Sequence, residues 1–157
     1  MNKNIWALHI GHLMISMNEI DWMTNLIRID ILKEEITENW KKFPLADRLR
    51  KLANSLDTQD EELKYLKELL LEALEHCNVR NLVAHGSFAL DCREPTTDGE
   101  SESKYILHSL KHDNPISEEE LKELTKRVIY LSDKIAERHA YIRMREFKNT
   151  QPQTEQS

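Results

Sequence analysis

The sequence predicts an all-α protein, an up-and-down bundle of four to five helices with a short hairpin or loop inserted before the last one. Three observations carry this. Only 3 Gly and 4 Pro interrupt 157 residues, too few for the many tight turns of a sandwich or barrel. Apolar residues recur at intervals of three and four over most of the chain, the spacing of one helical face. A chain of this length with 39% hydrophobic residues is one ordinary domain that can bury a core without disulfides or metal. That domain is expected over 1–148, leaving 149–157, NTQPQTEQS, as a disordered tail with nothing to bury.

The first helix is expected from Ile5 to the mid-thirties, because Trp6, Ile10, Leu13, Met17, Ile20 and Ile27 follow the helical period. A second line, Leu8, Ile15, Trp22 and Ile29, repeats every seven residues. It exceeds what one core-facing stripe needs, and fits a dimer interface and central burial alike. Charged residues over 33–44 end in Phe43-Pro44, a break that suits the first turn of the next helix. Leu45, Leu49, Leu52 and Leu56 space the second helix, and Asp57-Thr58-Gln59 supplies a turn. Leu63, Leu66, Leu70, Ala73, Leu74 and Cys77 mark a third helix that runs through Arg80 and Asn81 to His85, where Gly86 stops it.

From Gly86 to Pro115 the helical period vanishes. The turn-rich tract Arg93–Gly99 separates Ser87–Leu90 from Tyr105–Leu107, which reads as a short hairpin or ordered loop with a solvated acidic tip. Ser117 and Glu120 then form a capping box, with Ile116 and Leu121 as its hydrophobic staple. Leu121, Leu124, Val128, Leu131, Ile135 and Ile142 carry the buried face of the final helix.

A net charge of -6 argues against unspecific coating of nucleic acid. Two segments are nonetheless basic. Residues 41–51 hold Lys41, Lys42, Arg48, Arg50 and Lys51 against Asp47 alone, and 126–148 are rich in Lys and Arg. They could touch phosphate, or be ordinary solvated helix faces. Cys77 and Cys92 form no CxxC pair, and the N-terminus fits neither a signal peptide nor a membrane span, so a cytoplasmic protein without membrane partners is expected.

The chemistry concentrates in Cys77–Gly86. Asn81 and His85 lie one turn apart on one helix face, and Arg80 has a stem long enough to bring its guanidinium beside them. With 9 Arg, 10 Asn and 7 His in the chain, Arg-Asn-x3-His is expected by chance roughly 0.03 times. Arg80 and Asn81 also stand where the stripe of the third helix calls for another leucine, and such inconsistency often marks function. The alternative is structural: His85 caps the helix end, Arg80 pairs at the surface and Asn81 is a polar helix-end group.

RNLVAH resembles the HEPN family, whose mark is an Arg followed four to six residues later by a His, often with Asn directly after the Arg. The resemblance extends to the helical architecture over about 5–147, with two long antiparallel helices, shorter ones beside them and the motif near the end of a penultimate helix. It implies metal-independent RNA cleavage without a cofactor, in which the ribose 2′-hydroxyl attacks the adjacent phosphate, catalysed by Arg80, Asn81 and His85. It further implies a homodimer whose two motif helices face one cleft. A toxin or antiviral effector acting on single-stranded or loop RNA is the expected function. A non-catalytic module of the same fold is the second expectation, binding nucleotide or RNA, or paired with a minimal nucleotidyltransferase antitoxin. A plain dimerisation module is a third.

Other groupings carry less. His9, His12, Ser16 and Glu19 form a polar line on the first helix, either lining the same cleft or forming a wet groove. The pairs His9/His12 and His108/His112 lack the further ligands zinc needs. No Walker, GxGxxG or GxSxG motif is present, and Trp6, Trp22 and Trp40 read as core or interface anchors.

Overall fold

The computed structural model describes residues 3–92, 103–109 and 112–150. The element order is α1 (Lys3–Asp30), α2 (Glu38–Lys42), α3 (Leu45–Ser55), α4 (Glu61–Glu75), α5 (Cys77–His85), β1 (Ser87–Cys92), β2 (Ser103–Ser109), β3 (His112–Ser117) and α6 (Glu118–Thr150). The fold is mostly helical, as the apolar spacing predicts. The insertion before the last helix is larger than a hairpin: the three strands form an antiparallel sheet in the order β1-β2-β3. Pro115 hides β3 from a reading of the sequence, since a proline cannot donate to a ladder and is tolerated only at an edge, where β3 lies. The acidic tract 93–99 lies outside the described residues, as does 151–157 of the expected tail, while Asn149 and Thr150 extend α6.

The elements group into two compact units. One holds α1 as far as Met17, α5, the sheet, and α6 as far as Ile129. The other holds α1 from Asn18, α2, α3, α4, and α6 from Tyr130.

In the second unit α1 stops at Asp30, short of the mid-thirties. Glu34 N–H donates to the Arg28 carbonyl at 3.0 Å, and Lys33 takes a left-handed conformation with φ 57°, the closure usually built on glycine. Thr37 Oγ1 accepts from Trp40 N–H at 3.2 Å and starts the short α2, which buries Trp40; the indole N–H donates to Asn25 Oδ1 at 2.8 Å. On α3, Leu49 and Leu52 are buried, with Leu56 just past its end, matching the expected stripe.

Asp60 opens α4. Its Oδ1 accepts from Glu62 N–H at 2.9 Å and Leu63 N–H at 3.3 Å, and its carboxylate takes the Arg145 guanidinium at 3.1 and 2.6 Å. The Arg145 hydrogen bonds, helped by Leu63 N–H, hold the Asp60 carboxyl below its ordinary range.

Within this unit α1 meets α6 at Glu19–Ser132 (2.9 Å) and Asp30–His139 (2.8 Å), and Lys33 just past α1 meets Glu146 (2.9 Å), so the two longest helices run in the same direction. Glu62 pairs with Arg138 and Asp60 with Arg145, so α4 is the antiparallel return leg and α6 sets off again in the sense of α1.

In the first unit the capping box forms as the sequence predicts. Ser117 N–H donates to Glu120 Oε2 at 2.7 Å, Glu120 N–H donates to Ser117 Oγ at 3.2 Å, and Ile116 and Leu121 are buried beside it. The bond from Ser117 N–H holds the Glu120 carboxyl below its ordinary range. Thr125 Oγ1 donates to the Leu121 carbonyl at 2.7 Å and lies 3.2 Å from that of His9, tying α6 to α1. Trp6, Leu13, Leu107, Leu121 and Val128 fill the core of this unit.

Candidate functional site: the α5 terminus

The expected third helix is two helices. His76, with φ -89° and ψ -4°, separates α4 from α5. The break resets the helical phase, and this changes which side chains of the motif face the core. On α5 the inward face is Val79, Leu82, Val83 and Gly86, at spacings of three, one and three, with Leu82 and Val83 buried. Arg80 and Asn81 therefore do not interrupt a buried stripe; that sign of functional conflict disappears once the phase shift is seen.

The outward face is polar. Asn81 and His85 are exposed and Arg80 is half-buried. One helical turn separates Asn81 from His85, a rise of about 6 Å. Asn78 falls on the same exposed face at spacings of three and seven from them. Reading the motif from Arg80 onward missed it, although the 78-81-85 period was visible. Among the described residues no side-chain hydrogen bond or ion pair engages Arg80, Asn81 or His85. An amide pair, an imidazole and a guanidinium thus lie within about two turns, with donors and acceptors free to meet a ligand.

Gly86 fixes how α5 ends. The helix stops at His85 with Gly86 as its C-cap, as expected, but the φ of -78° is not left-handed, so conformational freedom is not what requires glycine there. Space is the reason. A Cβ at this position would lie 2.5 Å from the Leu82 carbonyl oxygen, 3.0 Å from Leu107 Cδ1 and 3.2 Å from the His108 carbonyl oxygen. The chain passes from α5 straight into β1 with β2 pressed against the turn, and His85 is held at the rim of that junction. His85 is also the basic residue of the last turn, where the helix dipole disfavours a bound anion. Any phosphate bound here depends on the Arg80 side chain.

The basic segments supply little further free charge. In 41–51, Lys41 pairs with Glu38 at 2.6 Å, Arg50 with Asp47 at 2.8 Å, Arg48 with Asp21, and Lys51 sits over the Phe43 ring at 4.5 Å. In 126–148, Lys126, Lys134, Arg138, Arg143 and Arg145 each meet a carboxylate. Both read as solvated, self-neutralised faces.

The polar line on α1 does not hold together as a groove. His12 and Glu19 are exposed and His9 is half-buried, but Ser16 is buried, and Glu19 accepts from the hydroxyl of Ser132. Among the described residues no three His, Cys, Asp or Glu side chains come close enough to hold a metal, and no helix is long and apolar enough to cross a membrane. Sequence reasoning also missed a pair in the second unit, the buried His139 with its Nε2 at 2.8 Å from Oδ2 of the half-buried Asp30. It borders a groove of about 400 Å³ along α6 that includes Arg143, Met144, Phe147 and Lys148.

Comparison with protein-family models, with curated proteins and with solved structures finds no match to this chain. The HEPN resemblance therefore rests on RNLVAH and the order of the helices.

Proposed function

We propose that this protein is an RNA endonuclease working through Arg80, Asn81 and His85, as a homodimer with a toxin or antiviral role. The observation that supports the reading is the exposed, unpaired state of Asn81 and His85, one turn apart on α5, with the half-buried Arg80 next to Asn81 in the chain. Arg80 binds the scissile phosphate and opposes the charge that develops on it. The ribose 2′-oxygen forms a bond to phosphorus as the bond from phosphorus to the 5′-oxygen breaks. His85 acts as general acid and donates a proton to the departing 5′-oxygen, while the 2′-hydroxyl proton passes to solvent or a second base. Asn81 orients the phosphate or the imidazole. The products are a 2′,3′-cyclic phosphate and a 5′-hydroxyl, so the step uses no cofactor and balances without one.

The test is purified protein with mixed RNA in the presence of chelator, beside His85→Ala and Arg80→Ala. Cleavage to cyclic-phosphate ends that falls about 100-fold or more in each folded variant is the expected result. An inactive wild type that still binds RNA or nucleotide would favour the non-catalytic module, including one paired with a nucleotidyltransferase.

A further inference from the structure

Among the described residues nothing covers the second apolar line of α1. Leu8 is 55% exposed, Ile15 59%, Trp22 63% and Ile29 45%, a heptad-spaced row along one unbroken helix. Taking about 180 Å² for a whole Leu or Ile and about 250 Å² for a Trp, these four leave about 400 Å² open, near the largest patch an ordinary monomer shows.

What faces that row on the same helix is small or amide-bearing: Asn4, Gly11, Asn18 and Asn25, each three residues after or four before an apolar member. Gly11 is the informative one. It sits in mid-helix, where glycine costs about 1 kcal/mol against alanine, and a Cβ there would meet nothing within 4 Å. Nothing among the described residues requires a glycine there.

We infer that α1 docks antiparallel on α1 of a second copy of this chain, with Trp22 of each seated over Gly11 of the other. In that register every large side chain opposes a small one: Trp22 with Gly11, Ile15 with Asn18, Leu8 with Asn25, and Ile29 with Asn4. A parallel pairing would set Trp22 against Trp22 and leave a void at Gly11 against Gly11, which close packing disfavours. The flanking positions agree with the antiparallel choice. They bring His12 opposite Glu19, an imidazole beside a carboxylate, both exposed, and Ile5 opposite Leu26, both half-buried. The four anchors of two copies together cover on the order of 800 Å², the size of a weak, concentration-dependent contact.

This deepens the homodimer element of the proposed function by naming its surface. It does not require an active α5, so sedimentation and RNA cleavage can fail separately. Trp6 and Trp40 are both 1% exposed, which makes the solvent-facing indole emission report on Trp22. In analytical ultracentrifugation the wild type should be a dimer at tens of micromolar, and its tryptophan emission should shift to the red on dilution through the dissociation constant. Trp22→Glu and Gly11→Leu should each weaken association at least tenfold without loss of helical circular dichroism, while Leu71→Glu, at an isolated exposed leucine of α4, should leave it unchanged. A wild type that stays monomeric at about 100 µM with red emission at every concentration overturns the inference, and the face then belongs to a different protein. A dimer indifferent to both α1 variants overturns it equally.

Discussion

Gly86→Ala should destabilise the protein, and the structure sets the size. The added Cβ would lie 2.5 Å from the Leu82 carbonyl oxygen, nearly an ångström inside ordinary contact, and that oxygen belongs to the α5 backbone and cannot swing aside. Overpacking of this kind costs about 1–3 kcal/mol, and a backbone clash falls at the upper end. The φ of -78° is open to alanine, so no torsional penalty adds to it, and the smaller entropy of the unfolded chain returns about 0.4–1 kcal/mol. The net is about 2 kcal/mol, or about 4–8 °C in Tm for a chain of this size. Urea titration followed by circular dichroism measures it as a lower midpoint at unchanged slope. A variant as stable as the wild type, or more so, would mean that the α5–β1 junction is not closed on Gly86 by the Leu82 carbonyl and β2, and the placement of His85 would fall with it.

Lys33→Gly should raise stability by about 0.5–1 kcal/mol in the same titration, because glycine takes a φ of 57° without strain and the exposed Glu146 pair it gives up is worth little. Asn25→Ala should cost about 1–3 kcal/mol by leaving the buried Trp40 indole N–H without its 2.8 Å acceptor. The carboxyls of Asp60 and Glu120 titrate lower in the folded chain than in the unfolded one. Their contribution is therefore complete above about pH 4, the ordinary carboxylate range, and drains away as pH falls through the folded values. The urea midpoint should drop below about pH 4, less steeply in Asp60→Asn; equal slopes would show that the Arg145 pair is absent in solution.

Most helices could be read from the chain because their periodicity is long and their ends are chemically marked. The Ser117/Glu120 box placed the start of α6 correctly, and the stripes of α1, α3 and α6 are buried as their spacing predicts, except for the half-buried Ile10, Leu45 and Leu124. What escaped notice lacked a local signal. The closure of α1 uses a lysine where glycine is the usual mark, and β3 contains a proline. The break at His76 sits in a run that reads as continuous helix, Leu74-Glu75-His76-Cys77, and it reverses the meaning of Asn81 from a misplaced core residue to an ordinary exposed one. The three candidate side chains were found by residue type and spacing. Their surroundings depend on a sheet of which the sequence signalled only two strands.

Nine residues of helix with two marginal turns are mostly coil in water when cut free. α5 keeps its form because Cys77, Leu82 and Val83 are buried, so the spatial order of Arg80, Asn81 and His85 is borrowed from the packing behind it. A peptide copied from 76–86 would carry every reactive group and none of their arrangement. Whatever loosens the packing behind α5 would scatter those three side chains.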